Sequence, residues 1–153
     1  MTGLFSRLQK RSIGHHPYCT AVVVAAGSAS RMKGIDKIMT TLGGIPVLAR
    51  TLQALEQCGR IDEIVVVTRT DLCAPVNILC REFGIQKVTA VVSGGATRAE
   101  SVRCGLCAVS GRAELAAIHD GARPFVSQEL LERVLIAGAK TGAAAPAVPI
   151  KDT

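Results

Sequence analysis

The feature that most constrains the fold is a short apolar run, Ala21-Val22-Val23-Val24-Ala25-Ala26, followed at once by a loop of small residues beginning at Gly27. A run of this length without polar alternation suits a strand covered on both faces, as parallel strands are in α/β proteins. The cycle of strand, loop and helix then repeats. Leu42-Gly43-Gly44-Ile45 reads as a tight turn, and Pro46 suits the first position of a helix whose Leu48, Leu52 and Leu55 share one face. Residues 64 to 67 read as the next strand, and a helix near residues 72 to 83 carries Val76, Leu79 and Phe83 on one stripe. Residues 88 to 92 supply a third strand. After Gly94-Gly95, Thr97-x-x-Glu100 matches a capping box that opens a helix with Val102, Gly105, Leu106 and Val109 as its buried face. Residues 115 to 119 form a fourth strand, the loop Asp120-Gly121-Ala122-Arg123-Pro124 follows, and Ser127 caps a helix to about Lys140. Residues 143 to 150 complete the pattern as a fifth strand. Such alternation predicts a doubly wound, mainly parallel α/β domain of Rossmann-like type. Ligands in that architecture sit outside the C-terminal ends of the strands, so the loops beginning at Gly27, Gly94 and Asp120 should share one rim.

The chain has 153 residues, enough for one domain with a sizeable core. Residues 1 to 19 contain Gly3, Gly14 and Pro17 and show no apolar period, so they read as a flexible leader before a domain spanning 20 to 153. Charged residues interrupt every hydrophobic stretch well short of the ~18 residues a membrane span needs. The formal charge of +6 includes Arg7, Lys10 and Arg11 in a first block of twenty residues that has no acid; the remainder carries 15 basic and 12 acidic residues. With only 3% aromatic residues, the stacking surface of single-strand nucleic-acid binders is missing. Neither nucleic acid nor a membrane is therefore expected as a partner. Six cysteines without a secretory signal fit reduced thiols in a cytoplasmic protein. Cys104-x-x-Cys107 falls inside a helix and not at its N-terminus, where a thiolate would be stabilised, so it reads as small apolar filler. His15 and His16 lack the second ligand pair that a zinc site requires.

The loop Ala25-Ala26-Gly27-Ser28-Ala29-Ser30-Arg31-Met32 lets backbone N–H groups approach a polyphosphate unobstructed and then supplies a cation. Lys37 adds a second. Two such cations would offset charge that builds on a transferring phosphorus and its leaving group. The loop has neither the Gly-Lys-Ser/Thr ending of a P-loop nor the spaced glycines of a dinucleotide fingerprint. Gly94-Gly95 reads first as a strand-to-helix turn, and alternatively as a flat seat for a base, with Arg98 and Ser101 one turn apart nearby. Asp120 suits Mg2+ as a hard oxygen ligand, or else caps a turn. Arg123, beside Pro124, suits a substrate phosphate or a surface ion pair.

In order along the chain, Val-Val-Val-Ala-Ala-Gly-Ser-Ala-Ser-Arg-Met, Lys37, Leu-Gly-Gly-Ile-Pro-Val-Leu, then Ser93-Gly-Gly-Ala-Thr-Arg-Ala-Glu-Ser-Val, His119-Asp-Gly-Ala-Arg-Pro and Val148-Pro-Ile-Lys-Asp-Thr resemble the signatures of the 2-C-methyl-D-erythritol 4-phosphate cytidylyltransferase family. The first signature is shared with many sugar nucleotidyltransferases; the ordered set is more selective and covers nearly everything after the leader. The resemblance implies a Rossmann-like nucleotidyltransferase, cytoplasmic, that moves CMP from CTP to a sugar-alcohol phosphate in the non-mevalonate route to isoprenoids. It implies that Ala25, Ala26 and Gly27 wrap the CTP phosphates and that Arg31 and Lys37 are catalytic. Gly95, Arg98 and Ser101 would serve the nucleotide, Asp120 would hold Mg2+, and Asp120, Gly121, Arg123 and Thr153 would face the acceptor. A ribitol 5-phosphate cytidylyltransferase, another sugar nucleotidyltransferase and a noncatalytic nucleotide-binding module are the alternatives. Ala96 stands where the family often has an acid, and Asp36 where many members have proline before the catalytic lysine. Family members are also longer, continuing into a dimerising arm with further acceptor-binding residues, so the resemblance implies a homodimer at full length and a C-terminally truncated fragment here that keeps the CTP face with little transferase activity.

Overall fold

The computed structural model describes residues 16 to 27 and 37 to 149. In chain order the elements are β1 (Cys19–Ala25), β2 (Thr41–Leu42), β3 (Ile45–Pro46), α1 (Val47–Glu56), β4 (Glu63–Thr68), α2 (Cys73–Glu82), β5 (Val88–Ser93), α3 (Arg98–Cys107), β6 (Leu115–Asp120) and α4 (Gln128–Thr141). Four strands form one parallel sheet in the order β5-β4-β1-β6, which is the expected doubly wound arrangement. The first strand begins at Cys19, two residues ahead of the apolar run, because Cys19 and Thr20 still have partners in register at Leu115 and Glu63. Cys19 is buried, and its burial, with Asp62 and Cys58 beside it, pushes the thiol up to about 12, so it is inert filler.

The two faces of the sheet are packed differently. On one, Ala21, Val23, Ala25, Ile64 and Val66 meet Leu48, Leu52 and Leu55 of α1, Val76 and Leu79 of α2, and Leu131 and Leu135 of α4. Each fully buried leucine or valine contributes roughly 1.5–3 kcal/mol. The other face is covered by α3, which packs on β1, β4 and β5. Here contact is through small residues. Ser101 and Gly105 are the buried residues of α3, and a Cβ on Gly105 would run into Val22 and lie 2.7 Å from Val67 Cγ2. Leu106, expected on the buried face, is 45% exposed. A helix seated this closely uses a seam of small residues at i and i+4, and its larger side chains lie to the flanks.

Local signals shape the ends as anticipated. Gly43 and Gly44 have positive φ (60° and 77°) in the turn that joins β2 to β3 antiparallel, the conformation a two-residue hairpin turn demands. Thr97 and Glu100 form the reciprocal capping box of α3, and the Ser127 hydroxyl accepts from the Leu130 N–H at the start of α4. Pro46 is the cap of α1 and not its first helical residue. Gly142, at φ 89°, closes α4. Residues 143 to 149, the described part of the strand expected over 143 to 150, are exposed and form no strand. Pro146 and Pro149 offer no N–H to a ladder, and the alanines around them have little apolar surface to bury. Cys107, expected as filler, is exposed. No described helix is long and apolar enough to cross a membrane.

Candidate active site

The C-terminal ends of the four parallel strands open onto one cleft of about 1130 Å3. Ala25, Ala26, Gly27 and Lys37 reach it from the end of β1 and the return of that loop, Gly95, Arg98 and Ser101 from the β5–α3 junction, and Asp120 and Arg123 from the end of β6. Loops about ninety residues apart in sequence thus meet on one rim, as the topology required. Gly121 does not line the cleft. Its Cβ position lies 2.9 Å from Ala25 Cβ and 3.3 Å from Leu48 Cδ1, so glycine lets the β6 loop rest against the end of β1. Arg31 and Thr153 lie outside the described residues, as does the leader up to residue 15.

Two kinds of construction hold the rim in place. After β5, Gly94 donates its N–H to Thr68 O at 2.8 Å, and a Cβ at Gly94 would lie 2.5 Å from Ala26 Cβ and 2.7 Å from Ser101 Oγ. Gly95 donates to Ser101 Oγ at 3.2 Å, and Ser101 Oγ donates to Thr97 O at 3.0 Å. Ser101 is 2% exposed, so its hydroxyl shapes the glycine turn from below. After β6, Gly121 N donates to Val24 O at 2.8 Å, the buried Thr51 hydroxyl of α1 donates to Gly121 O at 2.8 Å, and His119 Nε2 lies 3.1 Å from Arg123 O. The rim loops are therefore anchored to the core strands and helix beneath them.

The charges of the cleft converge on Asp120. Arg98 donates to its Oδ1 from Nε at 3.2 Å and from Nη2 at 2.9 Å, and Arg123 donates to Oδ2 from Nε at 3.0 Å. Partial burial would push the Asp120 carboxyl up, but the hydrogen bonds and charge of Arg98, and then of Arg123, outweigh it and hold the group below the usual carboxylate range. Lys37, Arg69, Arg98 and Arg123 oppose Asp71 and Asp120, an excess of two positive charges among the described lining residues that suits a polyanion. The Asp120 carboxylate, expected to hold a divalent ion, is bound in the fold by cations of the protein itself. Both its oxygens are engaged by guanidinium groups, and no group of three His, Cys, Asp or Glu side chains suited to a metal occurs among the described residues.

Sequence reading missed one wall of the cleft. Arg69 binds Asp71 through two hydrogen bonds of 3.1 Å, and the Thr70 and Ser93 hydroxyls lie 2.6 Å apart, all on the loop after β4 and the end of β5. The signal was available in the topology: β4 ends on the same rim, so its following polar residues had to reach the same cleft.

A family model described as 2-C-methyl-D-erythritol 4-phosphate cytidylyltransferase matches residues 19–153. A relative of that name from Dehalococcoides mccartyi (strain CBDB1) is 41% identical over 133 residues, covering 87% of this chain and 58% of the relative. The crystal structure of 4-diphosphocytidyl-2C-methyl-D-erythritol synthase from Anaerococcus prevotii superposes with a TM-score of 0.69 at 31% identity, covering 80% of this chain and 51% of that one. Rv0371c from Mycobacterium tuberculosis, solved in complex with manganese, gives 0.62 at 25% identity over 81% of this chain and 61% of its own. The chain spans a little under three fifths of the length of the curated relatives it matches. By its matched sequence and its fold, the chain belongs to the 2-C-methyl-D-erythritol 4-phosphate cytidylyltransferase family.

Proposed function

We propose that the cleft binds CTP and serves transfer of CMP to 2-C-methyl-D-erythritol 4-phosphate with release of pyrophosphate. The observation that carries this reading is the meeting of the three family signatures, at Ala25–Gly27 with Lys37, at Gly94–Ser101 and at Asp120–Arg123, on a single cationic rim. The triphosphate would lie along the backbone of residues 25 to 27, where no atom of the described residues crowds the Cβ position of Gly27, and the base against the flat turn at Gly94-Gly95. An oxygen of the acceptor's phosphate attacks the α-phosphorus, the bond from that phosphorus to the bridging oxygen of the β-phosphate breaks, and pyrophosphate leaves with the electron pair. A phosphate monoester is already anionic at neutral pH, so no general base is needed. Positioning and charge stabilisation do the work, with Lys37 and Arg31 as the cations beside the phosphates and Arg123 toward the acceptor. A divalent ion would be carried by the nucleotide phosphates, which are its natural oxygen ligands. The acceptor-side residue Thr153 and pairing of two copies belong to the same proposal.

Titration calorimetry of the chain with CTP, UTP, ATP and GTP tests the nucleotide half, and CTP should bind at least about tenfold more tightly than the others. Equal affinity for all four would remove the cytidylyl assignment. The transfer itself is followed by phosphorus NMR in a protein of the relatives' length carrying these residues, with each sugar-alcohol phosphate offered in turn. Preference for ribitol 5-phosphate would move the assignment to that acceptor, and CTP binding without any pyrophosphate release would make the protein a binding module.

A further inference from the structure

The two arginines around Asp120 are held in a particular way. Arg123 reaches the carboxylate through Nε alone, and its two terminal nitrogens make no hydrogen bond among the described residues. Arg98 uses Nε and Nη2 on the other carboxylate oxygen, and Nη1 takes no part in the pair. Their side chains are 61% and 75% exposed, for Arg98 and Arg123, whereas Asp120 is only one third exposed. The backbone under each is fixed, Arg98 by the capping box that starts α3 and Arg123 by its N–H to Asp120 O at 3.1 Å and by His119. One carboxylate thus grips two guanidinium groups that both line the cleft, with one net positive charge left over. Planar forks held in this manner suit phosphate oxygens, and holding them beforehand spares the ordering of two long side chains on binding.

Resting on the phosphate-binding reading above, we propose that Asp120 is a positioning residue, a brace that aims Arg98 and Arg123 at substrate phosphate, and not a ligand for the divalent ion. The three possible roles of this carboxylate predict different signs. As an anion beside an anionic ligand, its removal should raise phosphate affinity. As a metal ligand, its removal should lower nucleotide affinity only when a divalent ion is present. As a brace, its removal should lower phosphate affinity with or without the ion, despite deleting a negative charge.

The test uses inorganic tripolyphosphate as probe, titrated into the chain in excess EDTA. Asp120→Asn should weaken binding about tenfold. In an Arg98→Gln/Arg123→Gln background the weakening by Asp120→Asn should vanish, leaving binding unchanged or slightly tighter through the deleted negative charge, because there is no longer anything to aim. That vanishing effect separates a brace from general loss of structure, which would persist in the second background. Electron paramagnetic resonance of Mn2+ titrated into the chain without nucleotide should give the same weak binding for wild type and Asp120→Asn. Unchanged or tighter tripolyphosphate binding by Asp120→Asn, or Mn2+ binding lost specifically in that variant, would overturn the brace. Failure of the unaltered chain to bind tripolyphosphate at all would overturn the phosphate reading itself.

Discussion

Two carboxylates at opposite ends of the same sheet are put to opposite uses. At the N-terminal end, Glu63 of β4 is 4% exposed and accepts from the Thr20 hydroxyl at 2.6 Å, the Thr89 hydroxyl at 2.8 Å and the Ser110 N–H at 3.2 Å. It ties β1, β5 and the turn after α3 to β4, and all its partners but a distant arginine are neutral. At the C-terminal end, Asp120 meets only cations, which are themselves exposed. A buried carboxylate satisfied by neutral donors fastens strands together; a half-buried one flanked by guanidinium groups has charge to direct outward. The sheet therefore has a structural end and a chemical end, and substitutions at the two should separate stability from function.

The largest separation is expected at Lys37. In a protein of the relatives' length carrying these residues, and on the function proposed above, Lys37→Ala should lower the rate of CMP transfer by about 10²–10³-fold while leaving the urea midpoint almost unchanged, because the residue is exposed on the cleft. A comparable fall in stability would break the contrast. At the other end, Glu63→Ala leaves two hydroxyls and an N–H without their acceptor and should cost about 3 kcal/mol in denaturant melts, with CTP affinity of the folded protein retained. Burial would push the Glu63 carboxyl up, but bonds from Thr20, Thr89 and Ser110 and the charge of Arg112 hold it below its ordinary value of 4.5. A lowered carboxylate contributes stability that is complete above that ordinary value and is lost as pH falls through the lower, folded one. Glu63→Gln should therefore be less stable than wild type at pH 7, and the gap should close as pH falls from the ordinary value through the lower, folded one. A gap independent of pH would mean that Glu63 is not charged in the fold. The smallest effect is expected between the two ends, where Gly105→Ala forces a methyl against Val22 and Val67 and should cost about 1–3 kcal/mol.

The chemical end was more legible in the sequence than the way it is built. Apolar runs and caps located the four sheet strands to within two residues, since a strand buried on both faces has no choice of composition. The rim loops followed from parallel topology alone. What the sequence did not disclose depends on close approach and on pairing across distance. The buried seam of α3 looks nothing like an apolar stripe because glycine and serine make it, and Leu106 misleads by its hydrophobicity. The segment 143 to 149 falls where the alternation calls for a strand, but its alanines bury little and its prolines weaken any ladder. That Asp120 is shared by Arg123 and by Arg98, twenty-two residues away in sequence, was not legible because the pairing crosses from one rim loop to another. Arg69 and the Thr70–Ser93 pair were legible in principle and were overlooked because no glycine marked their loop.

The most direct test of the cleft as the nucleotide site is a titration of 15N-labelled chain with CTP, followed amide by amide. The amides of Ala25, Ala26, Gly27, Gly94, Gly95, Ala122 and Arg123 should shift with a common dissociation constant, while those of Thr20, Glu63, Thr89 and Ser110 at the opposite end stay in place. Shifts centred on the Glu63 end, or none anywhere at saturating CTP, would contradict the account.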